Sequence, residues 1–223
     1  MKFLGCERRE KVVAFLKSVF DRHTGGFYFF PGGEITLLST SFGVQLGFLL
    51  GVLEFFPKRA VVNFLRESQH EETGLFVDKG FDVSEVVNFE EEYILWQFTF
   101  FSTIALDMLG VRPKYKFSFL DPLRKREVLE KWWERQNFQN FWYVSNKLMF
   151  LMYLFVYEQE RLGVDNGDVL CGFFGLLENA QDPATGFWGL REGASLENGM
   201  YGAAHIYMFY DYCGKEIPYK REI

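Results

Sequence analysis

The chain has 223 residues, a formal net charge of −6 and three cysteines. A chain of this length forms one large domain or two small ones. The acidic balance argues against a nucleic-acid partner, because neutralising phosphates requires a basic face. Hydrophobic residues make up 48% of the sequence and aromatic residues 19%, so the composition predicts a folded protein with a sizeable core.

The sequence predicts a cytoplasmic protein without a bound metal or cofactor. Its cysteines, Cys6, Cys171 and Cys213, have no partners at the spacing of a zinc site. Their odd number, together with an N-terminus that becomes charged too early for a secretory signal, favours a reducing compartment. The apolar run 148–157 is too short to cross a bilayer, so no membrane partner is expected.

Helical periodicity continues through the whole chain, and strand signals are weak. Amphipathic segments, typical of outer helices, alternate with nearly uncharged segments, typical of inner helices. The sequence therefore predicts an all-α protein of four helical hairpins in a single domain over residues 1–223. The predicted outer helices cover 7–21, 58–70, 121–135 and 166–180, and the predicted inner helices cover 36–56, 90–109, 141–161 and 197–213.

Three of the predicted outer helices are followed by a Thr-Gly turn, at 23–27, 72–76 and 184–188. In each turn, aromatic residues come shortly after the glycine. The threonines are separated by 49 and then 112 residues, which predicts one degenerate copy without its glycine between the second and the third. The segment 137–142 stands at that place. Self-similarity at this period is typical of stacked supersecondary units. In each turn, glycine supplies a positive φ and the aromatic residue packs back across two helices. The turns are therefore expected to hold the helices together, and contact with a ligand is expected to be a minor role.

The third copy of the turn resembles a motif of known α/α-toroid proteins. It reads Gln181-Asp182-Pro183-Ala184-Thr185-Gly186-Phe187-Trp188 and is similar to the turn of six-hairpin glycosidases such as unsaturated-glucuronyl and rhamnogalacturonyl hydrolases. It also resembles the Gln…Gly-x-Trp repeats of terpenoid cyclases and protein prenyltransferase β-subunits. The resemblance implies an α/α-toroid or partial toroid whose inner helices face a central cavity. The chain departs from these families in having four hairpins rather than six, no Asp-rich motif and no zinc-ligand set.

Four hairpins leave the first and last units without the neighbours that a closed ring supplies. An apolar flank is therefore expected to be exposed. Two arrangements would cover it, a compact irregular ring or a homodimer, and the homodimer is the predicted one.

Polar residues near the predicted N-terminal ends of inner helices are the candidates for chemistry. Adjacent carboxylates in 90–92 raise one another's pKa, which suits a general acid, although acids at a helix N-terminus also simply favour the helix dipole. Carboxylates in 71–82 are candidates for glycoside cleavage or an ordinary solvated loop. Asn140, Tyr143, Asn146 and Lys147 form a polar stripe, which indicates either a wet cavity or a surface-facing turn.

On the last predicted helix, Asn198, Tyr201 and His205 share one face. The alternative for His205 is a buried, hydrogen-bonded side chain without a catalytic role.

The fold and these residues together predict one shared cavity in a carbohydrate-active protein, either a hydrolase, an epimerase or a lyase. Aromatic rings stack on sugars while polar groups orient them, so the predicted partner is a small sugar or oligosaccharide. Two alternatives remain open, an isoprenoid-binding protein like the cyclases and prenyltransferases, and a non-catalytic helical scaffold that binds a protein. The predicted catalytic residues are Glu91, Glu92 and His205, and the predicted substrate-binding residues are Trp96, Trp142, Tyr143, Asn146 and Tyr201.

Overall fold

A computed structural model describes residues 6–79 and 89–219, and it describes the side chains of residues 7–79 and 93–219. The only β pairing in these ranges is a set of isolated bridges, so the predicted all-α class is confirmed, while the toroid stays a prediction. The helices are α1 (Cys6–Ser18), α2 (Leu37–Leu50), α3 (Lys58–Glu67), α4 (Phe89–Met108), α5 (Arg126–Glu134), α6 (Phe141–Tyr157), α7 (Gly167–Ala180) and α8 (Leu196–Tyr212).

Three of the differences between the predicted and observed helix bounds have a local reason. α2 ends at Leu50 because Gly51 takes a left-handed conformation, with φ of 64°, and closes the last turn. α5 begins at Arg126 because Pro122, which has no N–H to donate, lies in a 3-10 segment before it. α6 continues beyond its last α-helical turn as a π-helical turn, Glu158–Leu162.

The chain divides into two compact units, Met1–Ser118 and Phe119–Ile223, here called unit 1 and unit 2. In unit 1 the inner helices α2 and α4 form the main helix pair, and the outer helices α1 and α3 flank it. In unit 2 the inner helices α6 and α8 form the main pair, and α7 packs on both α5 and α6. Each unit therefore contains two of the helices predicted to be outer and two of those predicted to be inner, and the single domain over residues 1–223 stays a prediction.

The three Thr-Gly turns share one hydrogen-bond pattern. The residue three positions before the threonine is Asp21, His70 or Asp182, and its carbonyl accepts the glycine N–H at 2.7–2.9 Å. Its side chain also bonds the threonine hydroxyl at 2.7–3.0 Å. The glycines have φ values of 81°, 76° and 73°, which side chains with a Cβ rarely adopt. The repeat is therefore a structural repeat as well as a sequence motif.

Each turn delivers an aromatic residue to the core. Phe27, Phe76 and Trp188 are at most 1% exposed. In unit 1, the backbone N–H groups of the two phenylalanines donate to the threonine hydroxyls of inner helices, Thr40 at 3.1 Å and Thr99 at 3.0 Å. In unit 2, the Trp188 indole N–H instead donates to a carbonyl of α7 at 2.7 Å. Burying each ring contributes about 2–3 kcal/mol, so the turns staple the hairpins together.

The degenerate copy lies between α5 and α6. Phe76 and Trp188 each follow a glutamine, Gln69 or Gln181, by seven positions. Phe141 follows Gln136 by five, because a short 3-10 turn, Phe138–Asn140, replaces the glycine turn. Phe141 is nevertheless fully buried and stacks on the Trp188 ring at 5.9 Å. This copy therefore keeps its aromatic staple after losing its glycine.

No helix in the described ranges is both long enough and apolar enough to cross a membrane.

Candidate functional site

Unit 2 carries five of the eight predicted site residues on its main helix pair. Trp142, Tyr143 and Asn146 lie in the first turns of α6, and Tyr201 and His205 lie in α8. The two helices approach closely because α8 has glycine where they meet. A Cβ added at Gly202 would lie 2.4 Å from the Phe141 ring.

Asparagine side chains join the N-terminal ends of α6 and α8. The Asn140 side chain accepts the Tyr143 N–H at 3.4 Å and so caps α6. Its oxygen also accepts the amide N–H of Asn198, at 3.4 Å. The Asn198 oxygen in turn accepts the Trp142 backbone N–H at 3.1 Å. These bonds fix the register of the two helix ends, which the sequence pattern alone did not predict.

A hydrogen-bonded chain runs from the backbone of α6 to His205. The hydroxyl oxygen of Ser145 lies 2.8 Å from the Trp142 carbonyl oxygen and 2.9 Å from Nδ1 of His205. Ser145 is fully buried, whereas His205 is half-buried. Burial lowers the pKa of His205 below its ordinary value, because the charged imidazolium loses solvation. The shift favours the neutral imidazole.

Two exposed aromatic residues lie one helical turn before the Ser145–His205 pair, Trp142 before Ser145 on α6 and Tyr201 before His205 on α8. Trp142 is 45% exposed and Tyr201 is 56% exposed, so both rings have free surface for a ligand. Tyr201 precedes His205 by one helical turn on the same face.

Asn146 has a different role from the predicted one of binding substrate. It is only 7% exposed, and its amide donates to the Trp142 carbonyl at 2.9 Å. Its role in this structure is to hold the first turn of α6.

The other three predicted site residues belong to unit 1. Trp96 lies in α4 with 5% of its surface exposed, so its ring packs in the core of that unit. Glu91 and Glu92 lie in the first turn of α4, but their side chains are outside the described ones. The convergence of all eight residues on one cavity therefore stays a prediction.

Sequence reasoning did not single out Ser145. The sequence did contain a sign of it, because Ser145 is a small polar residue one helical turn after Trp142, on a helix that is mostly apolar. A small hydroxyl residue in that setting usually bonds its own helix backbone, as serine does here. Only the pairing of α6 with α8 shows that the same hydroxyl also reaches a histidine.

A second polar cluster fastens the π-helical turn at the end of α6. The carboxylate of Glu158, which is buried, bonds Arg124 at 2.6 Å and Asn166 at 3.4 Å, and Arg124 also bonds the Asn166 side chain. Burial raises the pKa of Glu158 although Arg124 opposes the shift. Arg124 borders a groove of 580 Å³ along α5 and α7 that none of the predicted site residues lines. The cluster's evident effect is to hold the segment before α5 against the α6–α7 connection.

The chain matches no protein-family model, and no curated protein is significantly similar to it.

Proposed function

We propose that the protein binds a carbohydrate at the surface formed by Trp142, Tyr201 and His205, here called the α6–α8 site. The observation that carries the proposal is a pair of half-exposed aromatic residues, each one helical turn from the bonded Ser145–His205 pair. Sugar rings present apolar C–H faces that stack on aromatic rings, and hydroxyl groups that need polar partners. The α6–α8 site offers both kinds of contact within two paired helices.

The proposal is tested with the purified chain and a panel of sugars. Saturation-transfer NMR and intrinsic tryptophan fluorescence would detect binding in the millimolar range to neutral monosaccharides, uronates and their oligomers. We expect Trp142→Ala to weaken binding about two- to twelvefold, because stacking on an aromatic ring contributes about 0.5–1.5 kcal/mol. Phe30→Ala, which removes an aromatic ring 62% exposed in unit 1, is the matched control and should leave binding unchanged.

Failure of every sugar to bind, or equal binding by the Trp142 variant, would reject the carbohydrate proposal. An isoprenoid diphosphate belongs in the same screen, since stabilisation by it alone would favour the isoprenoid alternative.

A hydrolase, epimerase or lyase activity is a further step of this proposal. Glu91 and Glu92 are the proposed acids, because carboxylates in the first turn of an inner helix can act as proton donors. Once a sugar ligand is known, turnover of its glycosides should be lost in the double variant E91Q/E92Q while sugar binding is kept. Unchanged turnover in that variant would remove both residues from the mechanism.

The scaffold alternative is favoured by a separate observation on α8. Five residues at four-residue intervals form an exposed stripe along its whole length, which reads Leu196, Met200, Ala204, Met208 and Tyr212. The two methionines lie at equal distances on either side of the small Ala204, and a large apolar residue follows at each end, so the stripe is roughly symmetric about Ala204. Two copies of α8 packed antiparallel would place Ala204 against itself and Met200 against Met208, as a two-fold interface requires. We therefore propose a second copy of this chain as the occupant of this face.

Light scattering tests the dimer, because the monomer has a mass of 26.2 kDa. Ala204→Arg should shift the protein to the monomer, since it places two charges where the helices meet. Glu197 and Asp211 would face each other across the interface, so salt should strengthen association by screening them. A monomer at every salt concentration, or a dimer that survives Ala204→Arg, would reject this interface.

The cytoplasm remains the proposed location. Cys171 and Cys213 are free thiols, which suits a reducing compartment. Fractionation of the expressing cells, with the chain followed by antibody, would test it.

A further inference from the structure

We infer that Ser145 holds His205 as its Nδ1–H tautomer, so that the bare Nε2 accepts a hydrogen bond from a hydroxyl of a neutral sugar. This inference rests on the proposed carbohydrate site, and it names Ser145 as a positioning residue and neutral polyols as the ligand class. Its first part concerns protons alone and is testable without any ligand.

Proton counting at Ser145 decides the tautomer. The hydroxyl oxygen has one hydrogen and two short contacts, to the Trp142 carbonyl at 2.8 Å and to His205 Nδ1 at 2.9 Å. The carbonyl can only accept a hydrogen bond. If the hydroxyl hydrogen pointed to Nδ1, two oxygens 2.8 Å apart would face each other without a proton between them. Both contacts are attractive only if the serine donates to the carbonyl and Nδ1–H donates to the serine.

The same geometry turns the other ring nitrogen outward. Nδ1 faces Ser145, which has no exposed surface, so Nε2 lies on the opposite side of the imidazole ring. His205 itself is half-buried, which leaves part of the ring open. Within the described residues Nε2 makes no hydrogen bond, so a buried protein donor does not occupy it. The nitrogen is available to a ligand.

The charge state selects the ligand. An imidazole that is already protonated at Nδ1 and neutral presents a lone pair at Nε2, and a lone pair attracts hydroxyl donors. The oxygens of a carboxylate or phosphate carry lone pairs and negative charge, so Nε2 repels them. Burial lowers the pKa of His205, which keeps the ring neutral near pH 7. The α6–α8 site should therefore prefer a neutral sugar to the matching uronate.

The tautomer is measured directly on the full-length chain. Long-range ¹⁵N–¹H correlation NMR of histidine-labelled protein at pH 7.5 should show Nδ1 of His205 protonated and Nε2 unprotonated. Ser145→Ala should redistribute the proton between the two nitrogens, because the acceptor of Nδ1–H is gone. Ser102→Ala, which removes a buried hydroxyl from an inner helix of unit 1, is the control and should leave the His205 signals in place. A dominant Nε2–H tautomer in the wild-type chain would overturn the inference.

Ligand preference is measured with matched pairs, glucose with glucuronate, galactose with galacturonate and mannose with mannuronate. We expect the neutral member of the bound pair to bind about three- to tenfold more tightly, as one hydrogen bond of about 0.5–1.5 kcal/mol implies. His205→Phe keeps a ring of similar shape without the nitrogen and should remove the preference. Tighter binding of the uronate would overturn the inference, even if the tautomer is correct.

The two proposals fail in different ways. If none of the sugars binds but His205 shows the Nδ1–H tautomer, the carbohydrate function is rejected and the assignment of the proton stands. If a sugar binds at Trp142 but His205 carries its proton on Nε2, the function stands and this inference is rejected. Circular dichroism and thermal unfolding of each variant confirm that a loss of binding is not a loss of fold.

Discussion

Each unit is built around one main helix pair, α2 with α4 in unit 1 and α6 with α8 in unit 2, but hydroxyl groups of the two pairs are used differently. In unit 1 two hydroxyls of α4 bond the backbone of their own helix, Thr99 to the Leu95 carbonyl at 2.8 Å and Thr103 to the Thr99 carbonyl at 2.7 Å. In unit 2 a hydroxyl of one helix bonds a titratable side chain of the other, because Ser145 of α6 reaches His205 of α8 at 2.9 Å.

This difference distinguishes buried polar residues that only hold the fold from those that could also contact a ligand. The Thr99 hydroxyl donates to its own helix and accepts the Phe76 N–H, so both of its bonds are structural. A histidine held by a neighbouring helix has one nitrogen committed and one available. The hairpin repeat therefore explains the framework of both units, whereas the candidate site depends on side chains that differ between them. Four sets of variants test this difference between the units.

The largest loss of stability is expected when a buried aromatic residue of a turn is replaced by alanine. Trp188→Ala removes a fully buried ring that bonds the Leu177 carbonyl and stacks on Phe141, so it disturbs two copies of the repeat at once. We expect it to lower the free energy of unfolding by about 5 kcal/mol and Phe76→Ala in unit 1 by about 3 kcal/mol, within the range for buried aromatic residues. Urea denaturation followed by circular dichroism measures both.

Phe30→Ala controls this comparison, because that ring is 62% exposed and its removal should change stability by less than about 0.5 kcal/mol. A cost for Trp188→Ala no larger than the control's would show that the turn does not staple unit 2.

The glycines of the turns should differ from other glycines with positive φ. Gly74 has φ of 76°, and a Cβ there would lie 1.9 Å from the Lys116 carbonyl oxygen. Gly110 has φ of 66°, and a Cβ there would meet no atom of another part of the chain within 4 Å. We expect Gly74→Ala to cost about 3 kcal/mol or more, from the steric clash and the backbone strain together, and Gly110→Ala about 1 kcal/mol, from strain alone. Equal costs in thermal or urea unfolding would contradict the close approach at Gly74.

The glutamines that precede the turns provide a matched pair. Gln69 in unit 1 donates to the carbonyls of Gly74 and Tyr115 and accepts the N–H groups of Lys114 and Tyr115, at 2.7–3.0 Å. Replacing it with leucine should cost about 2–3 kcal/mol, because several backbone groups lose their partners.

Gln181 in unit 2 donates to the Gly186 and Pro218 carbonyls, but its own oxygen is buried with no partner among the described residues. Gln181→Leu removes that unsatisfied oxygen as well as two bonds, so we expect a smaller cost of about 1 kcal/mol. Unfolding free energies that rank the two variants in the opposite order would count against this difference between the units.

The smallest effect is the pH dependence that His205 gives to unit 2. Burial lowers its pKa in the folded chain below 6.5, so the unfolded chain binds more protons in the window between the two values. The free energy of unfolding should therefore fall as the pH drops below about 6.5 and level off below the folded-state pKa. His205→Asn should flatten this slope, while His23→Asn, at an exposed position, should keep it. An identical slope in wild type and His205→Asn would mean that the imidazole is not desolvated.

The pattern of amphipathic and uncharged segments was sufficient to predict all eight helices and the all-α class. Helices form where apolar residues recur at helical spacing, and they end near glycine or proline, and both features can be seen in a single sequence. Several predicted helix ends were wrong, and at two of them a glycine or proline is the reason. Gly51 closed α2 earlier than the apolar run suggested, and Pro122 delayed α5.

The Thr-Gly turns were also predictable from the sequence, because a positive φ, a hydroxyl and an aromatic residue at fixed spacing define them locally. The partners of the polar residues on α6 and α8 depend instead on how those two helices pack. Asn146 looked available and is bonded to its own helix, whereas Ser145 looked ordinary and holds His205. The reason is physical: helical spacing fixes which residues share a face, but the rotation of one helix against another decides which face is buried and which atom it meets.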